Sequence, residues 1–451
     1  MAGFYRKLPR TPRRLLYHDH GIPRGSSARD DRRASIFDVV HYLRGKAMAK
    51  IVREGIDIRR LVGATIAALL AALLISACGS GSDSAGPGAG PAQDAELTEA
   101  AAQVAAAGGD AALAVAATGA ARLHRDESHR IRQVVVFGDS LSDVGTYKVG
   151  AIAQLGGGKF TTNPGPVWAE TVGLLLGARV TPFRQGFGGV SQVLGGTGFA
   201  MGGSRVTRQP GIGCFPHPIS NDCTAALTIP VTDQISDYLD VNNDRFTRNQ
   251  IVFMLAGAND ILFQLGVFVA SVEAGVPAPA AQDAALAAVQ QAALELVGQV
   301  RRIIGKGATR VVVLNVPDIA DTPFGNAPAT ALVRPLIAGM VQLFNGVLAV
   351  GLSGTGAELL DYRAEFARII ANPGAYHVSE INVPACDPVK IEAITEGLEE
   401  GGSSLFCSRH TLVQNAAPFT YLFADSVHPT TLGHLVTTRF VLIEMWKRRL
   451  F

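Results

Sequence analysis

From Arg132 onward, short β-branched runs alternate with stretches whose apolar residues recur at helical spacing. The first run is Val134-Val135-Val136-Phe137, the second Ile251 to Leu255 and the third Arg310 to Asn315. A shorter fourth, Ala357 to Leu360, is closed by Asp361. Between them an Ala/Leu/Val-periodic segment predicts a helix over Ala280 to Ile304, and a last helix is expected from Leu432 to Arg449. Strands alternating with helices imply an α/β fold with a mostly parallel sheet covered on both faces. Nothing marks a boundary inside residues 130–451, which predicts one large domain. Its longest irregular stretch, Thr181 to Pro230, is expected to lie over the carboxyl ends of the strands, where open α/β sheets place their sites.

A different pattern precedes the domain. The apolar run Leu61 to Ile75 follows Lys50, Arg53, Arg59 and Arg60, and is shorter than the ~20 residues that cross a bilayer as a helix. That is a secretory signal over residues 48–77. It ends in Ile75-Ser76-Ala77-Cys78, which resembles the lipobox of bacterial lipoproteins, so Cys78 is expected to carry the lipid and become the mature N-terminus. The alternatives are a buried transmembrane helix or an ordinary cleavage after a small residue. Gly79 rather than Asp after the cysteine implies outer-membrane sorting, hence an exported lipoprotein of a Gram-negative bacterium. Residues 1–47 are basic and aperiodic, and a start placed too early is preferred over a functional extension. Residues 78–129 turn Gly-, Ser-, Ala- and Pro-rich, as a tether between lipid and domain would be.

Charge changes the picture once it is divided. The whole chain of 451 residues carries a formal +2, yet residues 1–60 hold 15 Lys and Arg against 6 Asp and Glu. The rest holds 25 against 32, a formal −7, so the body lacks the positive footprint that nucleic-acid binding requires. With Cys78 assigned to the lipid, Cys214, Cys223, Cys386 and Cys407 remain, an even number in an oxidising compartment. Of three connectivities the local pairs Cys214–Cys223 and Cys386–Cys407 are favoured, each in a loop-like stretch. No Cys-x-x-Cys or His cluster supports a metal site.

Three segments bring polar groups to places where chemistry is done. The first strand runs into Gly138-Asp139-Ser140-Leu141-Ser142-Asp143, which puts a serine hydroxyl at a strand-to-helix turn with free backbone N–H groups around it. The plainer alternative is that Ser140 or Asp139 only caps the helix. The second strand is followed by Ala256-Gly257-Ala258-Asn259-Asp260, where the Asn259 amide is a neutral donor suited to an oxyanion and Asp260 is expected to cap the next helix. Before the last helix stands Asp425-Ser426-Val427-His428-Pro429-Thr430, a carboxylate able to orient an imidazole base. A metal pair would compete, but one Asp and one His fall short of three ligands.

Taken together, these three blocks resemble the GDSL, or SGNH, family of serine esterases and lipases, in the family's order and across almost the whole of 132–451. FGDSLSD-x-G is closest to its lipase-like branch. The resemblance implies a three-layer, flavodoxin-like sandwich, with Ser140 as nucleophile, His428 as base and Asp425 as its orienter. It also implies an oxyanion hole of the Ser140 N–H, Asn259 and a second-block glycine; Gly198-Phe199-Ala200-Met201-Gly202-Gly203 makes that Gly203, with Gly202 a near alternative. Thr146 and Gly198 depart from the family's usual Asn at both places, which puts substrate fit and local turn geometry in question. No G-x-S-x-G elbow of ordinary α/β-hydrolases is present. The function implied is a lipid-anchored serine esterase or lipase that needs no cofactor or metal, takes a small-molecule or lipid ester, and meets the membrane through its N-terminal lipid. A carbohydrate deacetylase of the same fold and a non-catalytic surface binding lipoprotein are the alternatives.

Overall fold

The computed structural model describes residues 131–214, 223, 225–396 and 401–450. The extension, signal, Cys78 and tether expected over 1–129 lie outside the described residues. Among the described residues the strands are β1 (Gln133–Gly138), β2 (Arg184–Phe187), β3 (Val190–Val193), β4 (Gln250–Leu255), β5 (Val311–Leu314) and β6 (Glu358–Leu360). The helices of eight residues or more are α1 (Trp168–Leu175), α2 (Val231–Val241), α3 (Ala258–Glu273), α4 (Ala278–Gly305), α5 (Arg334–Leu352), α6 (Tyr362–Ala371) and α7 (Thr431–Lys447). The central sheet is parallel, in the order β1-β4-β5-β6. Residues 197–201 add along the outer edge of β1, with Val136 N–H donating to Thr197 O and Phe199 N–H to Val136 O. Counting that segment as the second strand gives the 2-1-3-4-5 order of flavodoxin-like sheets.

The apolar runs are continuous because both faces are covered. Val135 and Phe137 of β1, Val252 and Met254 of β4 and Val313 of β5 pack into one core with α2, α3, α4 and α5. Val134, Val136, Ile251, Phe253, Val312 and Leu314 face the other way, against α1 and α7. The result is the expected three-layer sandwich. Among the described residues, α5 alone is long and apolar enough to cross a membrane, and it is a core helix packed on α4.

One expectation is corrected. Thr181 to Pro230 is not simply irregular: it holds the antiparallel ribbon β2–β3, the edge segment beside β1 and a Cys214–Cys223 disulfide. The ribbon escaped notice because β3 is exposed throughout and carries no buried apolar face to read as a period. A second disulfide joins Cys386 and Cys407.

Candidate active site

Gly138 of β1 pairs with Leu255 of β4, so two adjacent strands end at the same level. The chain leaving β1 crosses over its neighbour, with Asp139 N–H donating to Leu255 O at 3.2 Å. Gly138 has φ +145°, and a Cβ there would lie 2.1 Å from Leu255 O, so only glycine allows this crossing. Asp139 caps the one-turn 3₁₀ helix Ser140–Ser142 by accepting the Leu141 N–H. The capping role therefore falls to Asp139, and the Ser140 hydroxyl is directed elsewhere: its Oγ lies 2.8 Å from His428 Nε2.

His428 stands on a turn built by its own sequence. Asp425 Oδ1 accepts the N–H groups of Val427 and His428, at 2.9 and 2.8 Å, and Ala424 N–H closes the turn onto His428 O. Asp425 Oδ2 is left to face His428 Nδ1 at 2.7 Å and to accept the Ser404 N–H. Burial alone would raise the Asp425 pKa, but the imidazole and these donors outweigh it and hold the carboxyl well below its usual range. An ionised carboxylate, an imidazole and a serine hydroxyl thus form one hydrogen-bonded relay. Phe160 lies beside it, its ring centroid 4.9 Å from that of His428. His434 is a different kind of group: buried, bonded to Trp168 N–H through Nδ1 and set 3.4 Å from Phe160 O through Nε2, and pushed down to about 3 by burial. It ties α7 to α1. His410 is exposed and accepts from Arg409.

Gly202 and Gly203 are separated by their surroundings. Asp143 accepts Gly145 and Thr146 N–H on Oδ1 and Gly202 N–H on Oδ2, so the Gly202 donor is already used. Gly203 N–H has no acceptor among the described residues, and φ of +79° with Ile212 O 2.0 Å from a would-be Cβ requires glycine. Asn259 sits in the first turn of α3 and gives one amide hydrogen to Ser204 O at 2.9 Å, which leaves the other. Asp260 does not cap that helix. Gly257 is the N-cap, and Asp260 instead accepts Arg205 Nε–H at 3.2 Å and Val206 N–H at 2.9 Å. Arg205 also lies over the Phe263 ring, 4.0 Å from its centroid. Asp260 is buried and bridges to the loop of Gly203, and burial pushes its pKa up to about 6.

Residues 134–439 match the model of the GDSL-like Lipase/Acylhydrolase family. The chain belongs to that family. A curated relative, "Anther-specific proline-rich protein APG" of Brassica napus, is 29% identical over 147 residues, 31% of this chain and 30% of that protein. The two departures from the GDSL pattern have local reasons. Gly198 sits where a Cβ would meet Val144 Cγ2 at 2.5 Å, leaving no room for a side chain. Thr146 donates through Oγ1 to Ala200 O and so ties the first block to the second. Among the described residues no group of three or more His, Cys, Asp and Glu is placed to hold a metal ion.

Sequence reasoning passed over Asp143, Arg205 and Gln234, whose bonds join the blocks. Asp139 adds a test of pH. Burial pushes its carboxyl up from 3.8 to about 7, and its Oδ2 has no hydrogen-bond partner among the described residues. A carboxyl whose pKa is higher in the folded state stabilises the fold fully below about pH 4, and that contribution is lost as pH rises through about 7. Asp139→Asn keeps the cap and cannot ionise. Its melting temperature relative to wild type should therefore be higher at pH 8 than at pH 5; an equal difference at both would refute the assignment.

Proposed function

We propose that this chain is an exported, lipid-anchored serine esterase that cleaves carboxylic esters through an acyl-serine intermediate. The observation that carries this reading is the unbroken relay from Asp425 through His428 to Ser140. Ser140 Oγ attacks the ester carbonyl while His428 Nε2 takes its proton, and Asp425 stabilises the imidazolium. The carbonyl oxygen becomes an oxyanion held by the N–H groups of Ser140 and Gly203 and by the second amide hydrogen of Asn259. Collapse of the tetrahedral species expels the alcohol, which takes the proton from His428, and leaves an acyl ester on Ser140. Water, deprotonated by His428, then releases the acid. Phe160 beside the base, with Tyr147 at its back, favours an ester with an apolar part over a sugar acetate. Anchoring rests on the sequence alone: the signal pattern and Cys78.

One experiment addresses both halves. Bacteria making the full chain are labelled with a fluorophosphonate, fractionated, and the adduct mapped by mass spectrometry. The adduct is expected on Ser140 of a membrane-bound protein, and Cys78→Ser should move it to the soluble fraction, since no second lipid signal remains. An adduct on Ser142 would move the nucleophile. Membrane binding that survives Cys78→Ser, with no lipid on the N-terminus, would overturn the anchor.

A further inference from the structure

Helix α2 presents the apolar stripe Val231, Ile235, Tyr238 and Leu239 to the core. Gln234 falls within that stripe and has no exposed surface. An amide buried without partners is strongly destabilising, so its retention calls for a full set of bonds. It has them. Oε1 accepts the Gly138 N–H at 2.9 Å, while Nε2 donates to Gly138 O and Ile229 O, both at 2.9 Å, and to Ser204 Oγ at 3.2 Å. Two amide hydrogens serve three acceptors, so one is shared.

The places it binds are informative. Gly138 is the last residue of β1, two before Ser140, and the Gln234 amide pairs with both its N–H and its carbonyl as a neighbouring strand would. Ser204 directly follows Gly203, and its carbonyl is what holds the Asn259 amide. One side chain thus bonds the strand that leads to the nucleophile and the residue standing between two of the three oxyanion donors, Gly203 and Asn259. We propose that Gln234 is a positioning residue, fixing the Gly203 N–H and the Asn259 amide relative to Ser140 so that the oxyanion hole exists before substrate arrives. The inference rests on the acyl-serine reading above. Because preorganised donors act on charge that develops only in the transition state, the loss should appear in kcat and spare KM.

Gln234→Met keeps the length of the side chain and removes all four bonds. Kinetics are measured on the purified protein, with active sites counted by fluorophosphonate titration, beside the affinity for a trifluoromethyl ketone, which forms an oxyanion on the serine. Removing an oxyanion donor outright costs ~10²–10³-fold, so displacing two is expected to lower kcat per titrated site ~10–100-fold with KM within about twofold. Ketone affinity should fall by the same factor. Ser204→Ala, which removes only the hydroxyl end of the network and leaves the core intact, should show the same pattern at a few-fold and serves if Gln234→Met does not fold. Wild-type kcat per titrated site in the folded variant, with or without a lower melting temperature, would overturn the proposal and leave Gln234 a packing residue. Ser140→Ala run in parallel separates the two failures: wild-type turnover there overturns the acyl-serine reading itself, and the positioning role with it.

Discussion

Ser140→Ala is expected to lower ester hydrolysis by at least ~10⁴-fold per folded molecule, towards the residual rate that binding and an oxyanion hole alone sustain in serine hydrolases. The fold should barely register the change. Among the described residues the Ser140 hydroxyl bonds only to His428 Nε2, and removing one oxygen at a turn opens no cavity in either core. Hydrolysis of a chromogenic short-chain ester and a melting curve decide the matter together. A folded variant that keeps more than about 1% of the wild-type rate would remove Ser140 from the nucleophile's role.

Removing the other two members of the relay should fail in different ways. His428→Ala takes away the base and should fall as far as Ser140→Ala. Asp425→Ala removes orientation and charge balance, and is expected to retain at least ~10-fold more activity than His428→Ala, because a deleted carboxylate usually costs less than a deleted base. Stability should order the variants the other way. Asp425 accepts the Val427 and His428 N–H groups of its own turn and the buried Ser404 N–H of another segment, so its loss strands three backbone donors, whereas the His428 ring bonds only side chains, those of Asp425 and Ser140, among the described residues. The expected pattern is therefore low activity with a near-normal melting temperature for His428→Ala, and higher activity with a depressed one for Asp425→Ala. Full activity of His428→Ala at neutral pH would make the Asp-x-x-His turn structural. His434 would not replace it, since burial keeps it neutral and both its ring nitrogens face backbone groups.

Much of the site was legible because its chemistry sits in short segments. Gly138 to Asp143, Ala256 to Asp260 and Asp425 to His428 each carry polar residues just where a strand ends or a helix begins, and such local arrangements are written in consecutive residues. The parallel sheet was legible for a related reason: runs such as Val134 to Phe137 are apolar on both sides of the strand, which fits only a covered sheet. The ribbon β2–β3 left no such mark, and neither did the choice between Gly202 and Gly203.

The sequence by itself determined the strand–helix alternation, the three blocks and the separation of a basic N-terminal stretch from an acidic body, and it favoured the local cysteine pairs that the structure joins. Only the tertiary structure decided which groups meet. The Gly138–Leu255 register brings Ser140 and Asn259 to the same end of the sheet, and Asp143 takes the Gly202 N–H so that Gly203 is the glycine left with a free donor among the described residues. Arg205 draws Asp260 away from a capping role, and Gln234, a polar residue in an apolar stripe, finds its partners 96 and 30 residues away, at Gly138 and Ser204. The physical reason is range. Propensity and periodicity are set by neighbours within a turn or two of chain, whereas the partner of a buried polar group is set by register and packing between distant elements.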